Sequence, residues 1–292
     1  MSRASTSHAA DAYCRELVHH YENFTVASRL SPKSLRRDLT RVYAFCRYTD
    51  DLGDESGDRA VATRRLRRWR DELRESFEHD ERTHPVLVAL ADTVDRHSLE
   101  EQPFLDLIDA NVQDQRIDRY EDWSELRAYC TRSAAPVGRI VLRLFNIDTP
   151  VAVSLSDDVC IGLQLANFAQ DVSVDSRLGR TYLMQRDIRE HGVDGATRVL
   201  CDRARTLLAS GRELERLAPP RLRVQLALYR LGGEAILDAV AARDYRTATR
   251  RPVVDRAARV RIAGAALSTG LRRESSRPVP LTVTSRTGDE GG

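Results

Sequence analysis

The sequence predicts an all-α fold, a single-domain helical bundle, on three observations. Apolar residues recur at spacings of three and four, as in Leu66, Trp69 and Leu73 or Phe104, Leu105, Ile108 and Val112, which lays a stripe along one helix face. No segment sustains the alternation of a half-buried strand. No linker divides the 292 residues, 41% of them hydrophobic, which is enough for one large core.

Residues 1–10 are small and polar and are expected to be disordered; 11–270 form the domain; 271–292, rich in Ser, Arg, Pro, Thr and Gly, read as a flexible tail. A first helix is expected over Asp11–Tyr21, and Ser31-Pro32 announces a second that ends near Ser56-Gly57. Asp58–Phe77 has an Arg/Glu-rich outer face, His84-Pro85 opens Val86–Arg96, and Gln102–Arg116 is a core helix. Pro136 lies inside the pattern of Trp123–Phe145 and predicts a kink. A helix carrying Gln164–Asp175 stops at Gly179. Ala196–Leu217, Arg221–Arg243 (with Gly232-Gly233 as a packing contact) and Val253–Leu267 complete the bundle.

The net charge of +2 gives no reason to expect nucleic acid. Five cysteines without a CxxC pair fit a reduced, cytoplasmic protein with buried thiols. No apolar run reaches bilayer length, and a peripheral membrane contact stays open.

Two polar stripes carry the chemistry. Gln164, Asn167, Asp171 and Asp175 are spaced three, four and four apart, on one face of one helix. Roughly 120 residues earlier Tyr43, Arg47, Asp50 and Asp54 make a second such face, with Asp51 and Glu55 about 100° round. A single Asp-x-x-x-Asp pair is most often a solvated face. Two pairs in otherwise apolar helices are different, because burying those carboxylates without cations costs several kcal/mol each. All the donors are oxygens, so the metal is Mg²⁺ before Mn²⁺ and not Zn²⁺.

Arg47 is either a helix ion pair or a forked donor for the anion that such metals attract. Arg180 and Tyr182, just past Gly179, are candidates for the same ligand. Tyr43 and Tyr129 are either core aromatics or faces for a carbocation. Small residues around Ser133 and Gly138 leave room for a chain to pass. Metals, arginine and an aromatic-lined apolar cavity together suit ionisation of an allylic diphosphate.

At these residues the sequence resembles the squalene/phytoene synthase family, from about Tyr13 to Arg261. The resemblance implies an all-helical enzyme that couples prenyl diphosphates head to head. It implies Mg²⁺ on Asp50, Asp54, Asn167, Asp171 and Asp175, and substrate contacts from Tyr43, Arg47, Gln164 and Gln170. YCTRSAAPVG is similar to the family's YCxxxAxxVG stretch, which makes Tyr129 the catalytic tyrosine and places Val137 and Gly138 along the tunnel. His20 and Asn23 correspond to a diphosphate-binding loop, although Tyr21 and Asn23 stand where dehydrosqualene synthases place serines. Tyr245 and either Arg251 or Arg256 correspond to late diphosphate contacts. HYENFTVASRLSP and NFAQDV look like the hopanoid-pathway squalene/hydroxysqualene branch. The implied substrates are farnesyl and presqualene diphosphate, with partner enzymes of the same pathway. NADPH is required only if squalene is the product. The alternatives are a phytoene or dehydrosqualene synthase and, in another class, a catalytically silent helical partner.

Overall fold

Every regular element in the computed structural model, which describes residues 3–19, 33–55, 57–79 and 82–271, is a helix. In chain order these are α1 (Arg3–His19), α2 (Lys33–Asp54), α3 (Arg59–Glu78), α4 (Pro85–His97), α5 (Gln102–Asp114), α6 (Trp123–Ser133), α7 (Ala135–Leu144), α8 (Pro150–Arg177), α9 (Gln185–Ala209), α10 (Gly211–Leu217), α11 (Pro220–Ala241) and α12 (Arg256–Leu271). Asp58 accepts hydrogen bonds from the amides of Ala60 and Val61 to start α3, and Thr149 with Pro150 starts α8 in the same way.

Two cores meet at α7. Phe45, Leu66, Trp69, Leu90, Phe104 and Ile108 centre the first, built from α1 to α5. Leu126, Ile161, Leu165, Leu200 and Leu237 belong to the second, built from α6 to α11. From α7, Ile140 and Leu144 enter the first and Leu142 the second, so this ten-residue helix is hydrophobic on two sides. The first core also encloses charge: Arg41, 1% exposed, is held by Asp11 of α1 and Asp92 of α4. Removing the guanidinium would leave the buried Asp11 carboxylate without this partner, the costly way to break such a pair.

The expectations need four corrections. Helix α1 starts at Arg3, not Asp11: Ala4, Ala9 and Ala10 are strong helix formers, and Ala10 is buried. Pro136 breaks rather than kinks its helix. Ala134 leaves helical geometry (φ −122°, ψ −47°), and Pro136 sits in the first turn of a new helix, where it needs no amide hydrogen. The expected Ala196–Leu217 helix begins earlier, at Gln185, bends at Gly192 (φ 69°) and is interrupted at Ser210. Finally, Gly138, expected to leave room along a tunnel, is tightly packed on the side a side chain would take. A Cβ there would lie 2.4 Å from Ser156 Oγ and 2.6 Å from Cys160 Sγ, so it is the point where α7 and α8 cross closely. Gly233 does pack as expected, against Leu163 and Leu208, whereas Gly232 meets nothing. The expected tail beyond Leu271 lies outside the described residues.

Candidate active site

Three helices bring their C-terminal ends together: α2 with Asp50 and Asp54, α5 with Asn111 and Asp114, and α8 with Asn167, Asp171 and Asp175. Asn111 Nδ2 donates to Asp50 Oδ1 at 3.2 Å, joining α5 to the first acidic stripe. Arg180, just past α8, reaches Asp54 across 3.4 Å and joins the second stripe to the first. Asp114 lies between them, close enough to feel Asp54 and for its own charge to act on Asp175. Helix C-termini already carry partial negative charge, and neither α2 nor α5 has a basic residue in its last turn. Carboxylates on such ends are locally unfavourable, so their mutual repulsion and the helix-end charge add up in one place.

Gly179 positions Arg180. With φ at 75° it closes α8 with paired bonds, Gly179 N to Ser176 O at 3.1 Å and Arg180 N to Asp175 O at 2.9 Å. The α5–α6 loop fixes the segment from outside: Thr181 N donates to Asp118 O at 2.8 Å and Gln185 N to Tyr120 O at 2.9 Å.

The crowding shows in the acids. Desolvation pushes Asp175 up to about 7, helped by Asp171 and opposed by Arg180. Asp50, solvent-accessible but surrounded by protein, is pushed up to about 6, chiefly by desolvation, against the Asn111 hydrogen bond. Burial pushes Asp114 up to about 6 as well, against the hydrogen bonds from Tyr129 and Tyr182. A folded-state pKa above the unfolded value means that the native state binds more protons between the two, so stability falls as pH rises. The metal-free protein should therefore melt higher near pH 5 than near pH 8. Scans across pH check this, and added Mg²⁺ with inorganic diphosphate should flatten the slope.

Among the described residues no three acidic, His or Cys side chains converge on one ion position. Mg²⁺ characteristically takes one or two carboxylates and completes its octahedron with phosphate and water oxygens, so paired carboxylates facing one another fit it. Asp50 and Asp54 on one side, and Asn167, Asp171 and Asp175 on the other, are the residues that would hold it.

Tyr129 is part of an aromatic box. Its hydroxyl donates to Asp114 Oδ2 at 2.6 Å, and Tyr182 donates to Asp114 Oδ1 at 3.4 Å. Tyr182 stacks on Phe168 with centroids 3.8 Å apart and planes 5° from parallel, and Tyr120 lies 5.3 Å from Tyr129. Tyr182, expected at the ligand, is buried beside Tyr129 in this box. Asp114 and Asn111 escaped the sequence reading because the apolar stripe of α5 marked the helix as core. Their signal was the polar pair, three residues apart, that ends that stripe.

Other expected contacts divide. Arg251 is the late arginine that reaches the site, where it pairs with Asp171 through Nε and, at 3.2 Å, through Nη2; Arg256 instead opens α12, exposed. Gln170 is buried and donates to Pro252 O at 2.8 Å while accepting from Arg251, so it anchors that loop rather than facing a substrate. Arg47 pairs with Asp51 one turn on. Tyr43 and Val137 pack at the edge of the first core. Gln164 is half-buried on α8. Tyr245 (φ 62°) lies 5.9 Å under the Arg198 guanidinium. His20 and Asn23 lie outside the described residues.

A crystal structure of squalene synthase HpnC from Alicyclobacillus acidocaldarius is 42% identical, with a TM-score of 0.76 over 84% of this chain and 99% of that one. A dehydrosqualene synthase with bound ligand superposes at a TM-score of 0.81 over 91% and 98%, but at 23% identity it speaks for the fold alone. The fold is thus the helical isoprenoid-synthase fold. The squalene/phytoene synthase family profile matches residues 17–258, and the chain belongs to that family. Phytoene synthase from Narcissus pseudonarcissus is 30% identical over 86% of this chain and 64% of its own length. Presqualene diphosphate synthase from Rhodopseudomonas palustris is 30% identical over 59% and 61%. The chain spans somewhat less than two thirds of the length of these two curated relatives.

Proposed function

We propose that this protein is a Mg²⁺-dependent enzyme that removes diphosphate from a C15-derived prenyl diphosphate. In its main reaction presqualene diphosphate loses diphosphate, the carbocation rearranges, and water adds to give hydroxysqualene with release of one proton. The same site would couple two farnesyl diphosphates beforehand if it also makes presqualene diphosphate. The observation that carries the reading is the junction of the two acidic stripes through Arg180 and Asp54. The identity shared with a protein described as a squalene synthase supports it.

When bound, Mg²⁺ supplies positive charge to the departing diphosphate. Arg180 and Arg251, each on a carboxylate of the opposing stripes, are placed to exchange that partner for a phosphate oxygen. Tyr129 has a single proton and gives it to Asp114, so its oxygen offers only lone pairs to anything else. It therefore acts as an electron-rich dipole that steers a cation, and not as an acid. Around it, Phe168 and Tyr182 exclude water from the side of the box.

The test is incubation with Mg²⁺ and farnesyl or presqualene diphosphate, with and without NADPH, followed by mass spectrometry of the lipid. Hydroxysqualene from presqualene diphosphate without NADPH is the expected result, and no diphosphate release from either substrate overturns the reading. A second reading rests on the phytoene synthases among the curated relatives. It would show as turnover of the C20 substrate in the same assay.

A further inference from the structure

Charge is unevenly placed on this protein. Between Arg246 and Leu271 there are six arginines and one acid, Asp255, so this segment carries +5 in a chain whose net charge is +2; the remainder is acidic by three. All six arginines are exposed. Among them stand large apolar side chains that no described residue covers: Val253 is 70% exposed, Val260 73% and Leu267 51%.

Helix α12 explains the pattern. Ala266 turns inward and is buried against Val224 and Ala227 of α11. Arg256, Val260, Gly264 and Leu267, spaced four, four and three apart, share an exposed face that begins about a quarter turn round from Ala266, flanked by Arg259 on one side and Arg261 on the other. An outward row of valine and leucine flanked by arginine is what lies on a lipid surface, the apolar chains inserted and the guanidinium groups at the headgroups.

The row continues to the mouth of the site. Arg251 and Gln170 pin the 249–255 loop to α8 at Asp171, next to Val253. Val174 and Leu178, three and seven residues past Asp171 and therefore on its stripe, are 36% and 60% exposed. Val174 and Leu178 on α8 and Val253 on the loop thus all lie close in sequence to the Arg251–Asp171 pair, and the loop leads directly into α12.

We infer that this face, Val174 and Leu178 with Val253 and α12, docks the protein on an anionic bilayer with the acidic cluster opening at the headgroups. Lipid is favoured over nucleic acid because none of these exposed apolar residues is aromatic, so bases would have no stacking platform. It is favoured over an acidic protein because it also explains the route. On the function proposed above, substrate and product carry chains that water does not dissolve, and the diphosphate end alone must leave the headgroup layer.

The test is co-sedimentation of the full chain with phosphatidylcholine vesicles and with vesicles that also contain phosphatidylglycerol, at low and high salt. Binding to the anionic vesicles alone, lost at high salt, is expected. Val253→Asp with Val260→Asp should weaken it by roughly tenfold or more. Turnover of detergent-dispersed substrate should stay unchanged, which separates docking from misfolding. No sedimentation with either vesicle, or sedimentation indifferent to the double variant, overturns the proposal. Vesicle binding without any diphosphate release would leave this surface standing and defeat the catalytic reading instead.

Discussion

Asp50→Asn and Asp175→Asn are each expected to cut Mg²⁺-dependent diphosphate release by about a thousandfold, the scale seen when charge aimed at a transition state is removed. Each amide keeps the size of the carboxylate and loses its charge. The same change should make the metal-free protein more stable at pH 8. The carboxyl of Asp175 is pushed up to about 7 by desolvation and by Asp171, and that of Asp50 to about 6, so ionising either one costs the fold free energy. At pH 5 both are largely protonated already and the substitutions should change little. Activity assays with melting curves at the two pH values test this pair of opposite effects. A purely structural carboxylate would lose activity and stability together, and a solvated surface acid would lose neither.

The opposite movement of stability and activity also explains what the sequence made legible. A stripe of amides and carboxylates on an apolar helix conflicts with local stability, so it stood out wherever the conflict was written within one helix, at Asp50 and Asp54 or Asn167 to Asp175. Several helix ends were legible for a similar reason, because Asp58 and Pro85 are good starts and Gly179 a good stop. Asp114 was not legible. Its significance comes from Tyr129 and Tyr182, 15 and 68 residues away, and nothing within α5 shows that contact. Gln170 failed in the other direction. It lies one residue outside the stripe, and its amide is taken by Pro252, a partner 82 residues on. At Gly138 a small residue beside a tunnel and a small residue at a helix crossing look identical in the sequence, and only the placement of Ser156 and Cys160 against it shows the crossing.

The strongest positioning effect should come from Asp114. Tyr129→Phe removes the hydroxyl, and Asp114→Leu removes what aims it; each is expected to lower kcat by about a hundredfold with KM nearly unchanged. Asp114→Asn separates aiming from charge. Its carbonyl can still accept from Tyr129, so orientation persists while the polarisation of the phenol weakens, and an intermediate loss of roughly tenfold follows. The decisive measurement is the double variant, Tyr129→Phe with Asp114→Leu, assayed for kcat on presqualene diphosphate. If Asp114 acts through the tyrosine hydroxyl, the pair should be no slower than the worse single variant, because the second change removes a partner that is already gone. Losses that multiply would mean that the carboxylate works through something else in the cluster, with Arg180 the nearest alternative since the charge of Asp114 also acts on it. A change in the ratio of hydroxysqualene to other products, at an unchanged rate of diphosphate release, would place the tyrosine after ionisation, where an electron-rich oxygen directs the cation.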